Sequence, residues 1–506
     1  MNNSWNLAVP GLACLLMVPC HALAQARSDA DLLIQEALKP SPIEQNLRHL
    51  TDEIGGRVPG TPAMDRAVAW GGAAFKAAGA DSVHTEEFKL PVSWAEGATE
   101  IRVSSIGTAT DPQLTSLPPV EFKVRAVSMA WAPALTAKHV PVVDVGAGTA
   151  EDFNRAGDIA GKLILVHSDV LKTWADLFNE YMNAPPVIDA AVKGKAKAVA
   201  FIATREHDVL YRHTNAMAGE IDRLPMVLVA REDGERIGRL LTSGHPVWAD
   251  LSIPNKIGGP VASANVVAEI KGSEKPDEFV ILGAHLDSWE LGTGALDNGC
   301  NSALVVDALR AIKQSGLRPR RTIRFVLFSG EEQGMVGSRA YATAHRNELD
   351  RLAGVVVIDS GIGRVTGFTL GGRKDVAAAV SGIVGPLKQF GANAVTTDDI
   401  EWGTDNFDFL LEGVPTMVAN QEEGNYLVNY HATSDTFDKV NIGQLKKHTA
   451  EMTVLAFGVA DAKDRIGPRL TRAQIEKTLL DTHVDEQLKP LGIWAEWESG
   501  QRGRAR

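Results

Sequence analysis

The chain has 506 residues, of which 44% are hydrophobic and 23% are charged. This length exceeds what one hydrophobic core usually supports, so we expect two or more domains. The formal net charge of -12 argues against binding to a nucleic-acid backbone, which requires a basic face. We interpret the acidity as a source of solubility.

The N-terminal region differs in composition from the rest of the chain. An apolar stretch runs from Leu7 to Val18, and Ala22-Leu23-Ala24 follows with small residues at the spacing that signal peptidase cleaves. The stretch is shorter than the roughly 20 apolar residues of a membrane span. We therefore predict a signal peptide over residues 1–24, no membrane span, and an exported protein that is periplasmic or secreted.

The chain contains three cysteines. Cys14 and Cys20 lie in the predicted signal peptide, so only Cys300 is left in the mature chain and no internal disulfide is expected. A lipid attached to Cys20 is an alternative that the preceding Pro19 disfavours. We interpret Cys300 as a small buried residue; the alternative is a thiolate nucleophile at the start of a helix.

The region from residue 25 to residue 255 divides into two parts. Apolar residues at helical spacing predict helices over 30–38, 43–54 and 64–78, and short strands follow up to residue 125. Residues 126–255 contain a separate set of short elements, including a strand over 161–166 and a helix over 188–198. None of the candidate metal ligands lies there. We therefore predict that residues 25–125 are the first part of a catalytic domain and that 126–255 are an inserted domain.

The second part of the catalytic domain is predicted over residues 256–465. Strands and helices alternate in this part, which is typical of an α/β fold with a mixed, mostly parallel sheet sandwiched by helices. Amphipathic helices are expected over 302–313 and 444–459. We predict that residues 466–506 form a polar C-terminal helical tail.

Side chains that can bind a metal ion lie in this second part, most of them where an apolar strand ends. In open α/β sheets, ligands bind outside the carboxyl ends of the strands, so we expect these side chains to converge. Imidazole and carboxylate ligands without a thiolate suit zinc, with cobalt or manganese as substitutes. The other histidines, His213 among them, are interpreted as structural. The candidate ligands are His285, Asp297, Glu332, Asp359 and His431.

The neighbouring acids suggest how such a site would work. Asp297 precedes a helix, so it is either an N-cap or a carboxylate that bridges two metals. Of the adjacent Glu331 and Glu332, one can bind metal while the other takes a proton from water. Asp287 shares a strand face with His285, and it is expected either to fix the imidazole or to polarise the base. Each residue alone also has an ordinary structural interpretation, but together they favour a two-metal hydrolase.

These residues lie in motifs that resemble those of the M28 family of zinc metallopeptidases, and within it the carboxypeptidase Q branch. The resemblance covers about residues 40–465 and implies the zinc exopeptidase fold, with a protease-associated-like domain at 126–255. The motifs are Gly283-Ala-His285-Leu-Asp287, Ala295-Leu-Asp297-Asn-Gly299, Ser329-Gly-Glu331-Glu332, Val357-Ile-Asp359 and Asn429-Tyr-His431.

The resemblance also implies a role for each residue. His285, Asp297 and Asp359 would hold one Zn²⁺, and Asp297, Glu332 and His431 the other, giving two ions per chain. Glu331 would be the general base, with Asp287 as its partner. The implied reaction is hydrolysis of terminal peptide bonds in small peptides or dipeptides, and a homodimer is consistent with the branch.

Several alternatives stay open from the sequence. One is an aminopeptidase that acts on longer peptides, because the sequence does not show which peptide end is attacked. Another is a two-metal amidase or cyclase with a substrate other than a peptide. A third is a non-catalytic binding module on the same fold, which the complete set of ligands and base disfavours.

Overall fold

The computed structural model describes residue 1, residues 28–106 and residues 119–505. The predicted signal peptide, residues 1–24, lies outside the described residues apart from Met1, as do Cys14 and Cys20. Among the helices of the described part, none has the length and apolar character needed to cross a membrane.

The strands of the described residues form two large sheets and one small ribbon. In chain order the strands are β1 (Ser82–Leu90), β2 (Trp94–Ala95), β3 (Glu100–Ser105), β4 (Val120–Val124), β5 (Ala126–Ser128), β6 (Leu135–Asp144), β7 (Leu163–Val166), β8 (Ala198–Ile202), β9 (Met226–Val229), β10 (Val247–Ile253), β11 (Lys256–Ile257), β12 (Val261–Ile270), β13 (Lys275–His285), β14 (Arg321–Phe328), β15 (Leu352–Val357), β16 (Val365–Thr369), β17 (Ala394–Thr396) and β18 (Thr416–Gln421).

Helices occur throughout the described residues. The α-helices are α1 (Asp29–Leu38), α2 (Ile43–Arg48), α3 (Pro62–Ala78), α4 (Ala150–Ala156), α5 (Trp174–Lys193), α6 (Arg231–Thr242), α7 (Cys300–Ser315), α8 (Val336–Ala344), α9 (Ala377–Val384), α10 (Phe407–Leu411), α11 (Tyr426–Asn429), α12 (Ile442–Asp461), α13 (Arg472–Asp481), α14 (Val484–Leu488) and α15 (Ile493–Ser499). Two π-helical segments lie at His49–Ile54 and Ala295–Gly299. Short 3₁₀-helical segments lie at Met217–Gly219, Leu349–Arg351, Lys374–Val376, Gly385–Phe390 and Phe437–Lys439.

The first large sheet has the strand order β1-β12-β14-β13-β15-β18-β16-β17. Its centre, from β14 through β13 and β15 to β18, is parallel, whereas β1, β12 and β16 pair antiparallel with their inner neighbours. In the central register, Gly283 lies between Val326 on one side and Val357 on the other. This confirms the predicted α/β fold with a mixed sheet.

Both faces of the first sheet are covered by helices. Val280 and Leu282 of β13 belong to the core that includes α7 and α12, while Phe279 and Ile281 face the core that includes α8 and α10. Alternate residues of a strand point to opposite faces of the sheet, and helices cover both faces here. Both sets of residues are therefore buried, and the sequence of the strand is a continuous apolar run. The sandwich therefore fixes the carboxyl ends of the central strands in one place.

The second large sheet has the order β4-β3-β10-β6-β7-β8-β9-β5. It includes β3, in which Ile101 pairs with both Leu251 of β10 and Val124 of β4. Both β3 and β4 precede residue 126, so the boundary that we predicted there falls inside this sheet. The local pattern of a short strand shows that it is half-buried, but not which sheet it joins.

Helix α5 differs from the helix that we predicted over 188–198, since it begins at Trp174 and ends at Lys193. The Thr173 hydroxyl accepts a hydrogen bond from the Asp176 N–H, and the Asp176 carboxylate accepts one from the Thr173 N–H. This capping box starts the helix well upstream. Pro185-Pro186 lies inside this helix. Because proline usually ends a helix, the first half of α5 was not predicted from the sequence.

The C-terminal tail is helical, as α13, α14 and α15 show, but it is not polar throughout. Leu479 and Trp497 are buried in a cluster with Phe407 of α10. Beyond α15, the Arg502 guanidinium donates to both carboxylate oxygens of Asp408, each at 2.8 Å. This two-point charged pair is buried, so the tail is attached to the body of the protein by packing and by charge.

Candidate active site

The central strands bring the candidate ligands to one edge of the first sheet. His285 is the last residue of β13, and Asp359 follows β15 closely. Glu331 and Glu332 follow β14, and His431 comes after β18 and α11. Since these four strands are adjacent and parallel, their carboxyl ends meet, which is where α/β sheets place their ligands.

Two groups of ligand atoms share one carboxylate. His285 Nε2 lies 3.2 Å from Asp297 Oδ1 and 2.9 Å from Asp359 Oδ1. His431 Nε2 lies 3.3 Å from Asp297 Oδ2 and 2.8 Å from Glu332 Oε2. Within each group the ligand atoms lie within 4.8 Å of one another. The two oxygens of Asp297 therefore face two different histidines.

The chemistry of these residues fits a pair of cations. His285, Asp297, Glu332 and His431 are all buried. Asp297 Oδ2 and Glu332 Oε1 have no hydrogen-bond partner among the described residues. A buried carboxylate without a compensating partner is costly, and a cation between the carboxylates and imidazoles would compensate it. Nitrogen and oxygen donors of this kind suit zinc-class ions.

Burial and the crowding of like charges shift the pKa of the acids. Burial raises the pKa of Glu332 to about 7, although the charge of His431 opposes the shift. Burial also raises the pKa of Glu331 well above its usual range, and the nearby charge of Asp359 adds to the effect. Burial opposes the protonation of His431, but the charge of Glu332 and the hydrogen bonds to Asp297 and Glu332 together raise the pKa of this imidazole to about 9. Proton-binding carboxylates in such a cluster are typical of functional sites.

Asp287 contacts both the imidazole of His285 and the backbone of the two adjacent glutamates. Its backbone carbonyl lies 3.0 Å from His285 Nδ1, and its carboxylate lies 3.6 Å from the same nitrogen. The carboxylate oxygens accept hydrogen bonds from the backbone N–H groups of Glu331 and Glu332, each at 3.3 Å. Asp287 thus orients the imidazole through its backbone and the two glutamates through its side chain.

Arg57 fastens the loop before Asp297 to the end of β13. Its fully buried guanidinium donates to the carbonyl of Leu286 at 2.6 Å, to that of Thr293 at 2.8 Å and to that of Gly294 at 2.8 Å. Burial lowers the pKa of Arg57 to about 10, which leaves it charged at neutral pH.

Asp435 holds the same loop from its other side. Its carboxylate accepts hydrogen bonds from the backbone N–H groups of Ala295 at 3.1 Å, Leu296 at 2.7 Å and Asp297 at 3.1 Å. Burial raises the pKa of Asp435 to about 7, against the effect of these hydrogen bonds. The bonds fix the backbone that carries the shared carboxylate.

Cys300 is a free, buried cysteine at the start of α7. Its Sγ lies 3.5 Å from the carbonyl oxygen of Leu296, and burial raises the pKa of the thiol. A protonated thiol is a poor nucleophile, so the structure favours the packing role over the thiolate alternative.

His213, which we interpreted as structural, reaches the site from the second sheet's region. Its Nδ1 lies 3.0 Å from His431 Nδ1, and burial lowers the pKa of His213 to about 4. Tyr430 stacks on His431 with ring centroids 3.7 Å apart. Asp405 is also buried near the site, and burial raises its pKa to about 8. No spacing in the sequence indicates a role for His213, because its partner lies more than two hundred residues downstream.

Comparison with known proteins identifies the family. Residues 265–456 match the sequence profile described as Peptidase family M28, and this range contains all five candidate ligands. The chain carries a peptidase domain of family M28. Carboxypeptidase Q of Rattus norvegicus is 28% identical to this M28 chain, over 83% of this chain and 86% of the relative. The match and the relatives support a metallopeptidase, and the buried ligand cluster lies inside the matched M28 domain.

Solved structures show the same fold. A peptidase M28 precursor of Shewanella amazonensis SB2B superposes with a TM-score of 0.77 at 26% identity, over 87% of this chain and 98% of that one. The zinc aminopeptidase BSAP of Bacillus subtilis has a TM-score of 0.63 at 18% identity, over 85% of this chain and 97% of that one. The M28 fold thus extends over most of the chain.

Proposed function

We propose that this M28 peptidase is a di-zinc exopeptidase that hydrolyses the terminal peptide bond of small peptides or dipeptides. The observation that carries the proposal is the position of Asp297, whose two oxygens face His285 and His431 separately. A carboxylate shared in this way suits two cations about 3.5–4 Å apart. The similarity to Carboxypeptidase Q over most of both chains supports cleavage at a peptide end.

Each ion would have its own histidine and its own acid. His285 and Asp359 would hold one zinc and His431 and Glu332 the other, with Asp297 bridging them. When bound, two zinc ions polarise a peptide carbonyl and lower the pKa of the attacking water. Cobalt or manganese would fit the same nitrogen and oxygen donors.

Glu331 would serve as the general base. It is the neighbour of the ligand Glu332, and its backbone N–H donates to Asp287, which fixes its place beside the site. The charges of His285 and Asp359 act on the pKa of its carboxyl, so the group lies near these two candidate ligands. From there it would accept a proton from the attacking water and pass that proton to the leaving amine.

The region of the second sheet supports a preference for short substrates. Helix α5 lies over the site, where Trp174 packs on Tyr426 with ring centroids 5.6 Å apart. Further along α5, the hydroxyl of Tyr181 lies 3.0 Å from that of Tyr430. A long peptide chain would have to displace this cover, whereas a dipeptide needs less room.

Hydrolysis of peptides with one blocked end would show which end of the peptide the enzyme attacks. A carboxypeptidase hydrolyses N-acetylated peptides and requires a free C-terminus, whereas an aminopeptidase accepts C-terminal amides and requires a free N-terminus. A dipeptidase requires both ends free. The name of the relatives favours attack at the C-terminal end.

The test combines metal analysis with substrate hydrolysis. We would measure the metal content of the purified mature protein and its activity on a dipeptide panel before and after chelation. About two zinc-class ions per chain, with activity lost on chelation and restored by zinc, is the expected result. Two bound ions with no peptide hydrolysis would instead favour the amidase or cyclase alternative. Absence of both metal and turnover would favour the binding module.

Two features remain predictions about the mature protein. We propose that it is exported after removal of residues 1–24, which N-terminal sequencing of the secreted or periplasmic protein would test. We also expect a homodimer, from the resemblance to its branch of the family. Light scattering on the purified protein would measure a mass of two chains rather than one.

A further inference from the structure

The segment that carries His431 is attached to the region of the second sheet through its backbone. The backbone N–H of Arg212 donates to the carbonyl of His431 at 3.0 Å, and the N–H of Thr433 donates to the carbonyl of Leu210 at 2.9 Å. Tyr211 and the residue after His431 form an antiparallel bridge. His431 itself has a φ of 58°, in the left-handed region that residues with a Cβ rarely adopt. These bonds hold the ligand in that conformation.

The side chain of His431 makes a second connection to the same region. While its Nε2 faces Glu332 and Asp297, its Nδ1 lies 3.0 Å from His213 Nδ1. Among the described residues, His213 is the hydrogen-bond partner of that nitrogen. The other ligand histidine, His285, has the backbone carbonyl of Asp287 behind its own Nδ1. Each imidazole therefore has one hydrogen-bond partner on the side away from the candidate metal.

We infer that His213 is a positioning residue of the metal site, which accepts the Nδ1 proton of His431 and thereby fixes the tautomer and ring orientation of this ligand. The inference rests on the proposed function, because it assumes that His431 Nε2 binds a cation. An imidazole that binds a cation through Nε2 carries its proton on Nδ1. Of two Nδ1 atoms 3.0 Å apart, one donates and the other accepts. His213 Nδ1 is therefore the acceptor.

The surroundings of His213 favour this tautomer. With Nδ1 as the acceptor, the proton of His213 lies on Nε2, which is 3.4 Å from Glu180 Oε1. Glu180 is in turn held by Arg205, whose Nη1 donates to Glu180 Oε2 at 3.0 Å. The Tyr181 hydroxyl also lies 3.0 Å from His213 Nδ1, but it has the Tyr430 hydroxyl at 3.0 Å as another partner. Such partners behind a metal-binding histidine commonly raise metal affinity.

The consequence is that the region of the second sheet is part of the catalytic centre. The arrangement predicts that the chain binds one of its two ions tightly only when this region supports His431. It also predicts that the two ions respond differently to changes in that region, because the Nδ1 of His285 has the backbone carbonyl of Asp287 behind it instead of His213.

The experiment measures ion binding rather than turnover. Metal-free wild-type protein and the variants His213→Leu and His213→Asn would be titrated with Co²⁺ against a chelator of known affinity. The side-chain oxygen of Asn takes the place of Nδ1 and keeps an acceptor, whereas Leu removes it. We expect His213→Leu to weaken one of the two ions by about 10- to 100-fold, the other to stay unchanged, and Asn to restore most of the loss.

A matched control lies in the same region of the chain. His167 pairs with Asp144 at 2.9 Å and is remote from His431 in the hydrogen-bond network, so His167→Leu should bind both ions as the wild type does. Two ions bound by His213→Leu with wild-type affinity would overturn the inference and leave the proposed function intact. A wild-type protein that binds fewer than two ions would instead overturn the proposed function.

A measurement on the wild-type protein tests the inference even if the His213 variants fail to fold. In the Co²⁺-loaded protein, the N–H protons of both ligand histidines give strongly shifted NMR signals that exchange with water. If His213 accepts the proton of His431, both signals should exchange slowly. Rapid exchange of one of them, as in an imidazole open to water, would show that His431 lacks this acceptor and would reject the role of His213.

Discussion

Asp287 accepts a hydrogen bond from the backbone N–H of Glu331, with 3.3 Å between the nitrogen and Oδ1. Its other oxygen accepts from the N–H of Glu332 at the same distance. One buried carboxylate thus holds the two residues to which the proposal assigns different tasks, proton transfer and metal binding. Since the backbone of both is fixed, their side chains can be changed one at a time.

Replacement of the proposed base should separate chemistry from metal binding. Glu331→Gln keeps the size of the side chain and removes the proton acceptor. We expect kcat to fall by about 10²- to 10⁴-fold, the range that general acid–base catalysis contributes. Metal content should stay at two ions, because Glu331 belongs to neither ligand group.

The measurement for this variant is steady-state kinetics on the best dipeptide, together with elemental analysis of the same sample. Glu332→Gln is the comparison, since it removes a ligand next to the base and should lower the metal content. Wild-type kcat in a fully metallated Glu331→Gln protein would contradict the assigned role.

The shared carboxylate should be distinguishable from the ligands that serve one ion. His431→Ala removes a ligand of one group and should lose one ion while keeping the other. Asp297→Ala removes a ligand of both groups, so it should weaken both. Elemental analysis after dialysis against a dilute chelator would measure the difference. If both variants lose the same number of ions, Asp297 does not bridge.

The convergence of the candidate ligands was predictable from sequence because most of these side chains follow apolar strands directly. The parallel order of β14, β13, β15 and β18 then brings His285, Glu332 and Asp359 together. The orientation of Asp297, whose two oxygens face different histidines, was not predictable in the same way. It depends on the backbone of its loop, which Asp435 fixes from well over one hundred residues away.

The parts that the sequence missed depend on contacts between distant segments. Arg57 and His213 carry no local pattern, since each is defined by groups that only the folded chain brings near. The start of the second sheet was missed for a related reason, as β3 is a short alternating strand that is compatible with either sheet. The first half of α5 was missed because Pro185 lies within it.

Arg57 should contribute strongly to stability. Its guanidinium donates to four carbonyl groups, including that of Gly55 at 3.0 Å, and it is fully buried. Arg57→Met would leave buried acceptors without a donor, at a cost of about 3 kcal/mol or more in the free energy of unfolding. Arg57→Lys should recover only part of this, because one ammonium group cannot reach the same carbonyls.

Chemical denaturation of the metal-free proteins would measure the effect of Arg57, so that metal binding does not contribute. Arg66→Met is a suitable comparison, because the Arg66 guanidinium makes a long, partly exposed bond of 3.4 Å to the carbonyl of Ile54. Equal losses in the two variants would show that the four carbonyl bonds of Arg57 add little.

Glu451 predicts a pH-dependent loss of stability that is independent of the candidate site. This residue of α12 is fully buried, and neither of its carboxylate oxygens has a hydrogen-bond partner among the described residues. Burial raises its pKa from 4.5 to about 8, although the charges of Lys447 and Arg364 oppose the shift. Below pH 4.5, both the folded and the unfolded states hold the proton and stability is at its full value. As the pH rises towards 8, the unfolded state releases the proton first, so stability falls.

Glu451→Gln should remove this pH dependence, because an amide does not titrate. We expect the variant and the wild type to have similar free energies of unfolding near pH 4.5. At pH 8 the variant should be more stable, by an amount on the order of a few kcal/mol. Denaturant unfolding of both proteins between pH 4.5 and pH 9 measures the difference, with the exposed Glu476 changed to Gln as the control. A difference that stays constant over this range would show that folding does not raise the pKa of Glu451, which is incompatible with a carboxyl buried without partners.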